Sequence, residues 1–334
     1  MFAQKRKDFS SFMKISFFIG SMNGGGAERV ISILANSYAE KNWDVEIVLL
    51  LENKVGYELN SGIKIVNLVR KSGSYFKSIP FWVKSIRKYL KESKPDRIVS
   101  FVGRINALVL MSSFGIQIPI IVSERNDPKQ DGRSGFMLWC CNHYYRKKAT
   151  AVVFQTKYEQ DCFSPVLVNK SYIVPNPVEI KVEPSEPEGC VVVTAGRLIE
   201  QKNQAMLIDA ATQLKSDFPE VRVNIFGDGH LKDILQKKIN DQGMTNAICL
   251  CGNVSDLHSR IRNASVFVLT SEFEGLSNAL VEAMMLGLPC ISTDYPGADE
   301  IISNGVNGIL VPRNNVSALK ISLCKVLADD ELRK

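Results

Sequence analysis

Two glutamates, Glu274 and Glu282, stand with seven residues between them in the stretch Ser271-Glu272-Phe273-Glu274-Gly275-Leu276-Ser277-Asn278-Ala279-Leu280-Val281-Glu282-Ala283. The apolar run Val266-Phe267-Val268-Leu269 before them reads as a strand, and a helix is predicted to begin near Ser277. Glu274 then falls in the loop before the helix, and Glu282 lies about one and a half turns inside it. The first backbone N–H groups of a helix have no partner within it, so those of Gly275, Leu276, Ser277 and Asn278 are available to a ligand. A carboxylate only accepts hydrogen bonds, which suits the paired hydroxyls of a sugar. Glu282 sits among Ala279, Leu280, Val281, Ala283, Met284 and Met285, and an acid in so apolar a stretch calls for a partner. A solvated glutamate on a helix face is the competing reading.

Two further clusters carry chemistry. Arg197 and Lys202 lie five residues apart in Ala195-Gly196-Arg197-Leu198-Ile199-Glu200-Gln201-Lys202-Asn203, after the apolar run Val191-Val192-Val193. At a strand exit they can reach one diphosphate, the arginine as a fork and the lysine as a point charge. Taken alone, they read equally as two solvated surface cations. Gly24-Gly25-Gly26 follows a predicted first strand and precedes a helix beginning near Ala27. Glycines let a backbone approach a ligand, and a helix N-terminus attracts anions, but a tight turn has the same composition. The cluster is neither GxGxxG nor a Walker loop, which disfavours dinucleotide binding and NTP hydrolysis.

Alternating elements must position these residues. Strands are predicted at 14–19, 45–51, 63–69, 97–101, 118–123 and 150–154, with helices at 27–40, 75–93, 104–114 and 133–148 between them. Residues 175–189 then carry four prolines and a glycine, the composition of a linker. The rhythm restarts with strands at 190–195, 221–226, 247–251, 265–269 and 289–292 and helices at 203–216, 230–242, 255–262, 277–286 and 315–328. Strand–helix alternation implies an α/β chain with parallel sheets covered on both faces, and ligands at the carboxyl ends of the strands. The expected domains are 13–175 and 190–334, joined by a linker over 176–189.

Composition narrows the function classes. The chain has 334 residues, enough for two domains, and 45% hydrophobic residues, as in soluble proteins. No apolar run reaches the roughly 20 residues of a spanning helix, and Ile15 to Ile19 is too short for a signal-peptide core. Met13 fits a start, which would leave the first twelve residues as a disordered extension. Eight scattered cysteines and three histidines make no metal-ligand spacing, so we expect free thiols in a reducing cytoplasm and no metal. The net charge of +6 divides into 26 − 15 = +11 for residues 1–180 and 15 − 20 = −5 for residues 181–334. Segment 70–94 holds eight cations, one acid, and Tyr75, Phe76, Phe81, Trp82 and Tyr89. A basic aromatic helix suits an anionic membrane surface, and an ordinary helix packed on the sheet is the alternative. No nucleic-acid-binding module is present, and no nucleic-acid partner is expected.

The Glu274–Glu282 spacing, the Gly196-Arg197-Leu198 stretch with Lys202-Asn203, and Gly25-Gly26-Ala27-Glu28-Arg29 together resemble the retaining glycosyltransferases of family 4, from about Met13 to Lys334. With Ser123-Glu124-Arg125-Asn126-Asp127-Pro128, the chain looks most like bacterial enzymes that extend lipid-linked oligosaccharides or surface polysaccharides. The resemblance implies the GT-B fold, two doubly wound Rossmann-like domains facing each other across a cleft. It implies that Arg197 and Lys202 hold the donor diphosphate and stabilise its departure, and that Glu282 binds the ribose. Glu274 would contact the donor sugar beside the N–H groups of Gly275 to Asn278. The base would lie near Gly252-Asn253-Val254, and Gly25 and Gly26 would approach the diphosphate. No metal or other cofactor is implied. The donor would be a nucleotide-sugar, UDP-linked in our expectation, and the acceptor a sugar on a polyprenyl diphosphate at the cytoplasmic face of the inner membrane.

Two departures stand out. Family members often carry a histidine after the fifth strand, where this chain has Arg125, and arginine cannot act as a base. The family also usually ends in a further helix or two, whereas this chain stops at Lys334 and reads as a truncated end. A nucleotide-sugar epimerase of the same fold and an inactive assembly subunit are the rival functions.

Overall fold

The computed structural model describes residues 13–70 and 75–333. The expectation of a disordered extension before Met13 lies outside these residues. The chain divides into two compact units, Met1–Pro177 and Val178–Lys334.

The first unit alternates β1 (Lys14–Ile19), α1 (Gly26–Glu40), β2 (Asp44–Leu49), β3 (Lys64–Asn67), α2 (Tyr75–Ser93), β4 (Arg97–Phe101), α3 (Gly103–Ser112), β5 (Ile120–Ser123), α4 (Gly135–Lys148), β6 (Ala151–Phe154), α5 (Lys157–Asp161) and β7 (Ser171–Ile173). Its seven strands are parallel in the order β3-β2-β1-β4-β5-β6-β7. The second unit contains β8 (Val191–Ala195), α6 (Gln204–Leu214), β9 (Arg222–Phe226), α7 (Lys232–Asp241), β10 (Ile248–Gly252), α8 (Leu257–Ile261), β11 (Val266–Leu269), α9 (Asn278–Met285), β12 (Cys290–Thr293), β13 (Ile309–Val311), α10 (Val316–Ala328) and α11 (Asp330–Arg333). Its six strands are parallel in the order β10-β9-β8-β11-β12-β13. Strand order reverses between β1 and β4 in one sheet and between β8 and β11 in the other. Such switch points open a crevice at the carboxyl ends of the strands.

Burial explains the strand runs. Ile15, Phe17, Phe18 and Ile19 are all buried, because helices cover both faces of a parallel strand and apolar residues are needed on each. Each unit accordingly has a hydrophobic cluster on either side of its sheet. Two strands escaped the sequence reading. β7 and β13 are three residues each, too short for periodicity to register.

Helix α2 corrects one expectation. Trp82, Ile86, Tyr89 and Leu90 recur at helical spacing and are buried, so its aromatic face is a core face. Trp82 donates its Nε1–H to the Leu50 carbonyl at 3.0 Å, and the Tyr89 hydroxyl bridges Ser16 and Glu46. Phe81 is exposed, as are Lys77, Lys84, Lys88 and Lys91. The outer side of α2 is therefore cationic but poor in aromatics. Residues 71–74 and the side chains of Tyr75 and Phe76 lie outside the described residues.

Candidate functional site

In the second unit the two loops predicted to carry chemistry leave β8 and β11, the strands that flank the switch point. The β8 loop is held tightly. Gly196 donates its N–H to the Phe226 carbonyl at 2.9 Å and Leu198 to Asp228 at 3.0 Å. Gly227 has φ +131°, and a Cβ there would stand 2.0 Å from the Gly196 carbonyl oxygen. Only glycine permits both that conformation and that approach.

A short 3₁₀ turn, Glu200–Lys202, then brings Lys202 over Gly196 and against the β11 loop. Lys202 Nζ forms an ion pair with Glu274 Oε1, which also accepts from Ser271 Oγ at 2.6 Å. Gln201 Nε2 donates to the Phe273 carbonyl at 2.7 Å and to Glu274 Oε2 at 3.3 Å. Asn203, with φ +43°, donates its Nδ2–H to Glu272 at 2.7 Å, and Thr270 Oγ1 donates to the Lys202 carbonyl at 2.8 Å. The side chains of Lys202, Gln201, Asn203 and Thr270 thus lace the two loops together around a carboxylate that is 7% exposed. A carboxylate offers about four lone-pair sites, so one remains for a ligand.

Helix α9 starts beside this clamp. Ser277 is its N-cap residue, but its side chain makes no cap bond, and its buried Oγ has no hydrogen-bond partner. The N–H groups of Gly275, Leu276 and Ser277 make no hydrogen bond among the described residues. Buried polar groups are normally paired, so these donors and this hydroxyl have the character of a prepared anion or hydroxyl site.

Glu282 is 3% exposed and lies within 3.0 Å of His258 Nε2, on α8. This answers the sequence argument that Glu282 needed a partner, with a histidine 24 residues upstream. Arg197 is exposed, and its guanidinium makes no hydrogen bond or ion pair among the described residues. Lys202 is engaged by Glu274, so Arg197 is the cation of the β8 loop that no side chain among the described residues pairs. Val254 is half-buried just past β10, where Gly252 takes φ +69°.

The remaining candidates belong to the first unit. Gly25 caps α1 and Gly26 is its first residue. A Cβ on Gly25 would lie 2.3 Å from Glu28 Oε2, so the glycine makes room for a carboxylate folded over the first turn. Tyr57 donates its hydroxyl to the Gly25 carbonyl at 2.9 Å. Across the switch point, Val102 takes φ +73°, a conformation that a β-branched residue adopts only under strain.

Arg125 lies past β5 with its guanidinium 4.7 Å from the Phe101 ring centroid. It donates to Asn176 Oδ1, while its buried Nε has no partner. Burial pushes its pKa down to about 10, with Glu159 opposing the shift, so it remains a cation at neutral pH. Glu159 accepts from the Gln155 N–H at 2.7 Å, and burial raises its pKa to about 8. An unfolded glutamate titrates near 4.3, so between that value and about 8 the folded chain holds a proton that the unfolded chain has released. Stability from this group is therefore full at the acid end and lost as pH rises through that window. Glu159→Gln is expected to flatten the decline and to raise stability at pH 8, read by urea unfolding at several pH values. An unchanged pH slope would refute the assignment.

Sequence reasoning missed His258, Ser271, Gln201 and Tyr295. Tyr295 is 2% exposed with an unpartnered hydroxyl, and burial together with the nearby Glu274 charge raises its pKa. None of these had a motif to mark it. The positions of Gln201 inside the Arg197–Lys202 stretch and of Ser271 at the head of the Glu274–Glu282 stretch were the available signals.

Among the described residues, no three His, Cys, Asp or Glu side chains cluster as a metal site, and no helix is long and apolar enough to cross a membrane.

Paired parallel sheets with loops of this kind define the GT-B fold. HepE from Anabaena, solved in complex with UDP, matches at TM-score 0.80 and 20% identity, covering 96% of this chain and 92% of that one. More specifically, residues 176–334 match the family Glycosyl transferases group 1. Over 333 residues the chain is 29% identical to the Campylobacter jejuni GalNAc-alpha-(1->4)-GalNAc-alpha-(1->3)-diNAcBac-PP-undecaprenol alpha-1,4-N-acetyl-D-galactosaminyltransferase, covering 96% of this chain and 91% of that one. It is 26% identical to the N-acetylgalactosamine-N,N'-diacetylbacillosaminyl-diphospho-undecaprenol 4-alpha-N-acetylgalactosaminyltransferase of the same organism, covering 96% and 92%. The chain is a GT-B glycosyltransferase whose second unit is a group 1 domain.

Proposed function

We propose that this glycosyltransferase acts with retention, as in family 4. It moves a hexose or N-acetylhexosamine from a UDP-sugar to a sugar acceptor carried on a polyprenyl diphosphate. The observation that carries the reading is the laced pair of loops around Glu274, opening onto the free N–H groups of Gly275 to Ser277. Arg197 and Lys202 hold the diphosphate and stabilise the charge that builds as it departs. Glu282, fixed by His258, takes the ribose hydroxyls, and Glu274 takes the donor sugar. Val254 lies by the base, and Asn278 and Leu276 complete the α9 end of the site. Gly25 and Gly26 serve the diphosphate from the first unit, and Arg125 serves the acceptor.

In this reading the anomeric C–O bond to phosphate breaks as the acceptor oxygen bonds on the same face. The leaving phosphate oxygen takes the acceptor proton, so no protein base is needed and arginine at position 125 is tolerated. The two cations supply the positive charge, and no metal is assigned. The acceptor places the enzyme peripherally on the cytoplasmic face of the inner membrane.

The test is a donor panel with a polyprenyl-diphosphate-linked sugar, read by mass. One added hexose or N-acetylhexosamine from a UDP-sugar is the expected result. Conversion of the donor without acceptor would establish the epimerase instead. Absence of both reactions and of nucleoside diphosphate binding would leave an inactive subunit.

A further inference from the structure

Helix α4 presents to solvent what α2 buries. Phe136 is 73% exposed and Trp139 60% exposed, the latter three residues on and so on the same face. Their rings stack at 6.0 Å between centroids, and Trp139 stacks on His143 at 5.5 Å. His143 meets Tyr144 edge-on at 5.6 Å, and Tyr144 meets Phe114, itself 45% exposed at the end of α3, at 6.0 Å. The rings form a continuous chain of contacts, exposed at Phe136 and Trp139 and anchored toward its inner end by Tyr144, which is half-buried against the core. Large exposed apolar patches mark interaction surfaces, because scattered exposure is ordinary but contiguous exposure is not.

Charge identifies the partner. The 14 residues of α4 contain no Asp or Glu, and its last turn holds Arg146, Lys147 and Lys148. Arg146 and Lys147 are exposed, while Lys148 is tied to the Ile116 carbonyl at 2.7 Å. Phe136 and Arg146 are about 15 Å apart along the helix at the α-helical rise. Tryptophan and phenylalanine rings settle at the boundary between acyl chains and headgroups, and neighbouring cations meet anionic headgroups.

We propose that the outer face of α4, through Phe136 and Trp139 with Arg146 and Lys147, docks the first unit on an anionic bilayer. The inference deepens the lipid-linked-acceptor reading and rests on it. It moves the aromatic contact from α2, where the sequence placed it, to α4. Lys77, Lys84, Lys88 and Lys91 of α2 then add long-range attraction without insertion.

The test uses the full chain with vesicles of phosphatidylcholine alone and of phosphatidylcholine mixed with phosphatidylglycerol. The wild type is expected to float with the anionic vesicles, and its fluorescence to shift blue. Trp139 carries that shift, because Trp82 is buried and Trp43 is stacked on Tyr38; Trp139→Tyr should abolish it. Phe136→Ser with Trp139→Ser should weaken partitioning about tenfold or more. Phe81→Ser on α2 should leave it unchanged, and Arg146→Glu with Lys147→Glu should remove the preference for anionic vesicles. Transfer to a water-soluble acceptor should be unaffected by the Phe136/Trp139 double variant, which also checks that it folds.

The proposal is overturned if the wild type does not bind vesicles, or if the double variant binds as well as the wild type. It is equally overturned if Phe81→Ser is the variant that detaches, or if the patch instead supports self-association lost in the double variant. Vesicle binding through Trp139 without any sugar transfer would keep the docking surface and refute the proposed reaction. Transfer without vesicle binding would do the reverse.

Discussion

Lys202→Met is expected to lower kcat by roughly 10²–10³-fold, the usual consequence of removing one positioned group that stabilises developing negative charge. A second effect accompanies it. Lys202 is the ion-pair partner of Glu274, whose side chain is 9% exposed. Removing one partner of a buried pair leaves the other charge uncompensated, which costs about 3–5 kcal/mol when burial is complete. At Lys202 the side chain is 15% exposed, so water recovers part of that loss. The two effects separate in a double variant. Lys202→Met with Glu274→Gln removes both charges, and should recover much of the melting temperature while turnover stays low. Glu282→Ala should likewise abolish transfer while the fold survives, although it also strands His258. Steady-state turnover and thermal melting of the single and double variants decide the matter. Wild-type turnover in Lys202→Met or Glu282→Ala would remove those residues from the site.

Arg133→Met is expected to destabilise the first unit by about 3–5 kcal/mol, the largest stability effect anticipated in the chain. Arg133 has a fully buried side chain and grips both oxygens of Glu124, at 3.0 and 2.8 Å. Its Nε also meets Asp131 at 3.0 Å, and Tyr145 donates to the same Glu124 carboxylate. Two parallel N–H···O bonds make this pair both strong and orientationally fixed. Gly103 makes the room, because a Cβ there would lie 1.9 Å from the guanidinium. Methionine fills similar volume and supplies no donor, so Glu124 would be left buried with the tyrosine alone. The Arg133→Met, Glu124→Gln double variant should lose less than the single one. Urea unfolding followed by tryptophan fluorescence measures both. A loss below about 1 kcal/mol in the single variant would mean that water reaches the carboxylate and that the network is not the support described. Arg125, the neighbour of Glu124, would then lack the rigid base from which it is proposed to act.

The sequence by itself determined the order of the longer elements, all but the short β7, β13, α5 and α11. Parallel strands covered on both faces must be apolar along their length, so runs such as Ile15 to Ile19 and Val266 to Leu269 declared themselves. Helices declared themselves by spacing, α10 through Leu319, Leu323, Val326 and Leu327. The Arg197–Lys202 and Glu274–Glu282 stretches were also legible, because each follows a strand and precedes a helix, the local grammar of a ligand loop.

Only the tertiary structure decided how these residues combine. Lys202 and Glu274 are 72 positions apart, and they meet because β8 and β11 are neighbours at the switch point. No local pattern encodes that adjacency, so the sequence offered a free lysine where the fold makes an ion pair, and Arg197 is left as the loop cation that no side chain among the described residues pairs. His258 became the partner of Glu282 for the same reason. The aromatic faces were decided the same way. α2 and α4 both carry aromatics and cations in sequence, but burial depends on which side of each helix the sheet covers. The core took Trp82 and Tyr89 of α2 and left Phe136 and Trp139 of α4 in solvent.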